Sequence, residues 1–323
     1  MSNGKSKISK ESNACQVCGL LSRHLKKAYE NYSPIEFGMN GSRLKSWELC
    51  HCAFLKKKGK TLTDEEKDFL SLNLAFYLAS WGMYRGSSFL LDRDYKAHSK
   101  VVSICMERQY DLLWDYEPNG ANLGIAAALL FGDEDNENDF GLVWRIKRAY
   151  GESVSESSDA ATTDDPEEDG SKSNADDGNK PTDTLVTKIL LGVFACIPAF
   201  DRYFSKAYKS MYKPDGAKKV LKLNKEEFIL MGEFVLEHRS SLWYYSENVF
   251  YPAMKCLDLA LWRMGLLAEH IRAIEDPKSQ AKHDKARRAL KREGYADDTA
   301  SGGGVDAGSI KKSYLPENYP GIK

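Results

Sequence analysis

Apolar and polar residues recur along most of the chain with the spacing of amphipathic helices. Thr63 and Glu66 form a capping box ahead of FLSLNLAFYLASW, which predicts a helix that ends at Gly82. Asn224 is predicted to cap KEEFILMGEFVLEH. Further helical patterns cover GLLSRHLKKAYENY, SWELCHCAFLKKK and residues 98–114, 122–131, 140–150, 185–196, 202–212 and 253–274. Regular apolar–polar alternation is lacking and no Asn-Gly turn joins two β-rich segments, so the sequence predicts an all-α fold.

Composition divides the predicted helices into two parts separated by an acidic segment. Residues 151–184 are rich in Ser, Asp and Gly and contain one valine and no aromatic residue, so they are predicted to be a disordered insertion. The other segments are predicted to be a mobile N-terminus, an N-terminal helical part, a C-terminal helical part and a tail, at 1–13, 14–150, 185–293 and 294–323 respectively.

The formal net charge of −1 conceals a separation of charge along the chain. Residues 152–183 carry 11 acidic residues against 2 lysines, a local charge of −9, which leaves +8 for the rest of the protein. A basic body is compatible with a polyanionic partner. The opening MSNGKSKISK lacks the apolar stretch of a secretory signal, and no apolar run approaches the roughly 20 residues of a membrane span. The seven cysteines show no disulfide pattern, so a reducing, cytoplasmic setting without a membrane is expected.

The apolar stretch KILLGVFACIPAFDRYF contains Asp201 at the start of a predicted helix. An aspartate at this position is well suited to cap the helix, because it accepts hydrogen bonds from the first free N–H groups. In the alternative interpretation, a carboxylate at a helix N-terminus beside apolar side chains is a catalytic group. Both interpretations stay open from the residues alone.

The order of features around Asp201 resembles the helix-hairpin-helix DNA glycosylase superfamily. A polar turn (NKPTDTLV) precedes an apolar helix that begins with Thr-Lys, and Pro-x-x-Asp then opens the next helix. The resemblance covers residues 180–204 and implies a helical, glycosylase-like architecture with Asp201 as the catalytic aspartate. It also implies that Lys188 lies near the lysine used by bifunctional members, that the partner is DNA and that no cofactor is needed.

The loop WGMYRGSS is a second candidate site. An enzyme that flips a nucleotide holds the base between aromatic or apolar surfaces. Trp81, Tyr84, Arg85 and Ser87 offer stacking and hydrogen bonding in one glycine-flanked loop, so they are predicted to form the base pocket. In the alternative interpretation, the tryptophan and the tyrosine simply pack into the core at a helix end.

Basic residues close to Asp201 are predicted to contact the DNA backbone, namely Lys188, Arg202, Lys206 and Lys255. A charged helix face is also the ordinary pattern of a solvated helix, and this alternative stays open for Arg202 and Lys206. Lys255 shares a helix face with Asp258, so an ion pair between them is the alternative to a phosphate contact.

Cys15, Cys18, Cys50 and Cys52 form a constellation of metal-ligand type. Two cysteine pairs are typical of a structural zinc site. The second pair is CxC rather than CxxC and interrupts an apolar helical pattern, which favours buried free thiols. Free thiols are favoured and no metal site is predicted, while a structural zinc site stays open as the alternative.

Together these features predict an enzyme that removes a base from DNA. Cleavage of an N-glycosidic bond builds positive charge on the sugar, which a carboxylate stabilises while it orients water. A monofunctional enzyme needs no lysine and leaves an abasic site, and this version is favoured. The polar and aromatic loop suits a modified or damaged base, such as a hypermodified cytosine in phage DNA, which would imply antiviral defence. The alternative is a non-catalytic helical module that binds nucleic acid or protein.

Overall fold

A computed structural model describes residues 16–28, 44–85, 90–114, 116–132, 140–158, 181–212, 221–243, 250–275, 280–295, 313–316 and 319. Within these ranges the chain is predominantly helical and has no β-strand, apart from one isolated bridge between Gly132 and Phe140. The predicted all-α fold is therefore confirmed. None of the helices in these ranges is long and apolar enough to cross a membrane.

The described α-helices follow one another along the chain as α1 (residues 16–28), α2 (Leu44–Leu55), α3 (Asp64–Ser80), α4 (Ser99–Cys105), α5 (Leu123–Phe131), α6 (Leu142–Ser158), α7 (Asp183–Val193), α8 (Arg202–Tyr212), α9 (Lys225–His238), α10 (Ala253–Glu275) and α11 (Gln280–Arg292). Short 3-10 helices lie at Tyr95–His98, Arg108–Leu113 and Arg239–Ser241. The single helix predicted over 98–114 is thus wrong, because α4 ends at Cys105 and a 3-10 turn follows it.

The helix starts that were predicted from capping residues are confirmed. The Thr63 side chain accepts a hydrogen bond from the Glu66 N–H (3.2 Å), and the Glu66 carboxylate accepts one from the Thr63 N–H (2.9 Å). Asn224 accepts a hydrogen bond from the Glu227 N–H (2.9 Å) at the start of α9. Each cap satisfies backbone donors that have no partner inside the helix.

The two predicted helical parts share one hydrophobic core. α7 lies inside it, with every residue from Leu185 to Val193 buried, and α2 and α3 pack against it. The Trp47 indole donates to the Leu191 carbonyl (2.8 Å), and His51 Nδ1 donates to the Val193 carbonyl (2.8 Å). These bonds supply side-chain donors to carbonyls at the C-terminal end of α7, where the helix ends and regular intrahelical donors run out.

The boundaries of the acidic insertion differ from the prediction. α6 continues through 151–158, and α7 begins at Asp183, where Thr182 caps it by accepting from the Leu185 N–H (3.2 Å). The helical signal therefore extends into both ends of the acidic segment. The rest of the predicted insertion, 159–180, and the predicted mobile N-terminus, 1–13, lie outside the described residues.

Part of the predicted C-terminal tail belongs to the core, which corrects that prediction. Tyr295, Leu315 and Tyr319 are buried. His24 on α1 donates from Nε2 to the Tyr314 carbonyl (2.8 Å), and its Nδ1 accepts from the Tyr295 hydroxyl (2.8 Å). Burial of the tyrosine rings and these two hydrogen bonds hold the segment against α1, although its glycines and prolines predicted an unpacked tail.

Candidate active site

The backbone that leads into Asp201 is held from two helices. After α7, residues Phe194–Phe200 form a turn that reaches the N-terminus of α8. Thr187 on α7 accepts a hydrogen bond from the Phe200 N–H (2.9 Å), and Thr184 donates one to the Phe200 carbonyl (2.9 Å). From the other side, the Asp258 carboxylate on α10 accepts from the Ala199 N–H (3.0 Å). The position of Asp201 is thereby fixed by side chains far from it in sequence.

The two oxygens of the Asp201 carboxylate have different partners. Oδ1 accepts from the N–H groups of Tyr203 and Phe204 (3.0 Å each), which is the geometry of an N-cap. Oδ2 lies 3.4 Å from Nζ of Lys188, and the Asp201 side chain is 17% exposed. The capping interpretation is therefore confirmed for one oxygen, while the second faces a buried cation in a side chain that is partly exposed.

Two buried lysines lie beside Asp201 and beneath the Trp81 ring. Lys188, whose side chain is 4% exposed, has Nζ 5.2 Å from the ring centroid of Trp81. Lys255 is 1% exposed; its Nζ lies 5.7 Å from the same centroid and 2.7 Å from Oδ2 of Asp258. An ammonium so close to an aromatic face is stabilised by the negative quadrupole of the ring. Two ion pairs, Lys188–Asp201 and Lys255–Asp258, thus converge on one indole.

The burial of Lys188 and Lys255 contradicts their predicted contact with backbone phosphates. A phosphate outside the protein cannot reach these ammonium groups unless the lysines leave their carboxylate partners. That change would leave the carboxylates unpaired where water solvates them poorly. The alternative for Lys255, an ion pair with Asp258, is confirmed.

An aromatic cluster next to Asp201 was missed by the sequence prediction. Trp262 on α10 packs edge to face against Trp81 (5.3 Å between centroids) and against Tyr203 (5.9 Å), and all three are partly exposed. The Trp81 indole N–H is buried and lacks a hydrogen-bond partner among the described residues. A signal was present in the sequence, because Trp262 follows Lys255 by seven residues on the same helix face.

Of the other residues predicted for the base pocket, Tyr84 and Arg85 have different surroundings from one another. The Tyr84 hydroxyl lies 2.6 Å from Nε2 of buried His98, whose Nδ1 lies 2.5 Å from the Tyr150 hydroxyl. Burial lowers the pKa of His98 to about 4 and raises that of Tyr84 to about 12. Arg85 is exposed and its guanidinium lies over Gly82, where φ is +77° and a Cβ would clash. Ser87 lies outside the described residues.

Arg202 and Lys206 are exposed on α8 and are available to a partner in solution. Both face Glu269 of α10, with nitrogen–oxygen distances of 2.8 Å for Arg202 and 3.8 Å for Lys206. The single carboxylate balances one of the two positive charges, so this surface keeps a net positive charge. Their predicted contact with DNA stays a prediction.

The cysteines are distributed over different surroundings. Cys50 is buried near Cys105, and burial raises the pKa of its thiol. Cys18 Sγ lies 3.4 Å from Nδ1 of His238, whereas Cys15 lies outside the described residues. In the described ranges no group of three or more His, Cys, Asp or Glu side chains is arranged to hold a metal ion.

Comparison with known proteins found no matching family model, no matching curated protein and no matching solved structure. The resemblance to the glycosylase superfamily thus depends on the residues around Asp201. Any function must be inferred from the chemistry that these side chains allow.

Proposed function

We propose that the protein is a DNA glycosylase that hydrolyses the N-glycosidic bond of a modified or damaged base and leaves an abasic site. One observation carries this proposal. Asp201 has one oxygen held by the N-terminus of α8, while Oδ2 faces the Lys188 ammonium in a partly exposed side chain. Such a carboxylate is fixed in orientation before a substrate arrives, which is the property required for electrostatic stabilisation of a developing charge.

In the proposed reaction, the bond between the sugar C1′ and the base nitrogen breaks, and its electron pair leaves with the base. Asp201 stabilises the positive charge on the sugar and accepts a proton from the attacking water, whose oxygen bonds to C1′. That proton passes to the departing base, so one water is consumed in each turnover. Lys188 balances the charge of Asp201 in the free enzyme, and no covalent bond to the lysine is needed.

The aromatic cluster of Trp81, Tyr203 and Trp262 supports the assignment of a base as the substrate. Tyr203 donates its backbone N–H to Asp201, and the Trp81 ring lies over Lys188, the ion-pair partner of Asp201, so residues of the cluster lie on both sides of this ion pair in the contact network. Enzymes that flip a base stack it against such side chains. We propose a bulky modified base as the substrate, such as a hypermodified cytosine of phage DNA, and a role in antiviral defence.

A panel of labelled duplexes tests this function. Each duplex carries one damaged or modified base, with hypermodified cytosines included and an unmodified duplex as the control. After incubation with the protein, alkali cleaves the strand at abasic sites. We expect alkali-dependent breaks at one class of modified base. A panel without any breaks would contradict the proposal, and breaks that form without alkali would instead assign Lys188 a lyase role.

A second candidate function is a non-catalytic helical module that binds nucleic acid or an acidic protein. The observation that favours it is the pair of hydrogen bonds that Oδ1 accepts from the Tyr203 and Phe204 N–H groups, since an ordinary N-cap makes the same bonds. The two candidates differ in the effect of Asp201→Asn. Asparagine caps helices as well as aspartate does, so a binding module would keep its affinity and its function, whereas a glycosylase would keep affinity and lose excision.

A further inference from the structure

The exposed face of α11 is strongly basic. Its side chains at Lys282, Lys285, Arg287 and Arg288 are exposed, and Asp284 is the acidic residue among them. Lys282, Lys285 and Arg288 follow one another at a spacing of three residues, which places them along one side of the helix. This basic side is called the α11 face below.

The helix is anchored by its opposite side. Ala286 and Leu290 are buried, and α11 packs extensively against α10. Arg263 on α10 contacts the carboxylate and the carbonyl of Glu293 (3.3 and 2.7 Å), which ties down the C-terminal end of α11. The α11 face therefore belongs to a helix that is held in place by α10.

The α11 face also has a defined relation to Asp201. α10, against which α11 packs, also packs against α8. Trp262 of α10 contacts Tyr203 of α8, and Glu269 of α10 accepts a hydrogen bond from Arg202 of α8. A Cβ at Gly265 of α10 would lie 2.2 Å from the Tyr203 carbonyl oxygen, so α8 and α10 touch at their backbones. α8 and α11, which both carry exposed basic side chains, thus pack on the same helix, and Asp201 immediately precedes α8.

We propose that the α11 face binds the phosphate backbone of DNA and docks the duplex on the α10 side of the molecule. From residue 282 to residue 288 the helix rises about 9 Å. One strand of the duplex carries a phosphate for about every 3.4 Å of its axis, so a helix segment of this length runs alongside three to four phosphates. Three basic side chains at this spacing can each contact one phosphate. The choice of DNA over other polyanions rests on the proposed function, and the +8 charge outside residues 152–183 agrees with it.

The test compares two full-length variants with the same change in charge. The first is Lys285→Gln/Arg288→Gln on the α11 face, and the second is Lys56→Gln/Lys60→Gln at exposed positions after α2. Binding of an unmodified 20-base-pair duplex is measured by fluorescence anisotropy over a series of NaCl concentrations. Thermal unfolding confirms that both variants are folded.

The α11 variant is expected to bind about tenfold more weakly at low salt, with a slope of log affinity against log salt that is smaller by about 2. The control variant is expected to retain the wild-type slope. Equal losses in both variants would overturn the proposal, because the effect would then be one of net charge. Unchanged DNA affinity together with weaker binding of a polyglutamate peptide would also overturn it, since the face would then serve an acidic protein.

The outcome is separable from that of the proposed function. If the α11 variant loses affinity as expected while no duplex is ever excised, the docking face stands and the glycosylase assignment fails. If the wild type excises a base and the α11 variant binds and excises equally well, the docking face fails and the glycosylase assignment stands.

Discussion

At the scale of single residues, Asp201 combines a helix cap and an ion pair in one carboxylate. Oδ1 completes the N-terminus of α8, and Oδ2 compensates the ammonium of buried Lys188. Loss of the side chain therefore removes a cap and also leaves a cation unpaired in the interior. The second effect is much the larger of the two, because an unpaired buried charge retains its full desolvation cost.

The stability of Asp201→Ala measures this combination. We expect it to lower the free energy of unfolding by roughly 3–5 kcal/mol, the usual effect of breaking a buried ion pair. Asp201→Ala/Lys188→Met should regain most of that loss, because no charge is left buried. Asn224→Ala, which removes a cap alone, should cost about 1 kcal/mol. Urea unfolding gives all three values, and a loss in Asp201→Ala no larger than in Asn224→Ala would refute the buried pair.

Trp262 is the residue to test for base stacking. If it stacks on the extruded base, Trp262→Ala should lower kcat/KM for excision about 10- to 100-fold, the equivalent of roughly 1–3 kcal/mol of stacking. Trp243→Ala is the matched control, since that side chain is 65% exposed, and it should leave kcat/KM unchanged. Steady-state excision of the best substrate supplies the comparison, and equal effects of the two substitutions would contradict a stacking role.

At the scale of elements, the close approach of α8 and α10 depends on a glycine. A Cβ at Gly265 would meet the backbone of Tyr203, which cannot move without disturbing the cap at Asp201. We expect Gly265→Ala to destabilise the protein by about 1–3 kcal/mol through overpacking. Gly151→Ala in α6, where a Cβ meets nothing within 4 Å, should instead stabilise it by about 0.5–1 kcal/mol. Thermal unfolding compares the two, and equal shifts would contradict the close contact.

Helices with local signals could be predicted, and helix ends without them could not. The capping residues Thr63 and Asn224 act within one turn, so the sequence was sufficient to place the starts of α3 and α9. α6 extends past 150 into a polar segment whose composition predicted disorder. The long helix predicted over 98–114 divides after Cys105 into an α-helix and a 3-10 helix. The apolar pattern is compatible with one long helix or with two short ones, and tertiary packing decides between them.

At the scale of the whole molecule, the sequence pointed to the candidate carboxylate but not to its surroundings. Asp201 and Trp81 adjoin the same buried lysine, as expected for members of one site. Lys188 and Lys255 were predicted to contact DNA, because no local pattern reveals that both side chains are buried in the folded protein. Trp262 and Asp258 enter the site only through the packing of α10 beside α8 and beside the turn that follows α7, at 57 and more residues from Asp201.

Three buried histidines make the stability of the whole fold sensitive to acid. Burial lowers the pKa of His24 to about 3 and those of His51 and His98 to about 4, against 6.5 when unfolded. The unfolded chain therefore binds more protons below pH 6.5, so stability is complete above that pH and is lost as the pH falls toward 4. We expect each histidine to lower the free energy of unfolding by roughly 1–2 kcal/mol at pH 5.

Urea unfolding at pH 7 and pH 5 measures that loss, and His98→Gln should reduce it by about one third. Asp94, whose negative charge raises the pKa of His98, is retained in this variant. An unfolding free energy that is the same at both pH values would show that the histidines are protonated in the native state.

The catalytic role of Asp201 is tested most directly by the single-turnover rate of abasic-site formation in Asp201→Asn. The substrate is the best duplex found for the wild type, and the assay is run well below the unfolding midpoint of the variant, with its DNA affinity measured alongside. We predict unchanged affinity and a rate at least about 100-fold lower, because the charge that stabilises the sugar is removed. Lys188→Met, which keeps the carboxylate, should retain excision. Excision by Asp201→Asn at the wild-type rate would contradict the account.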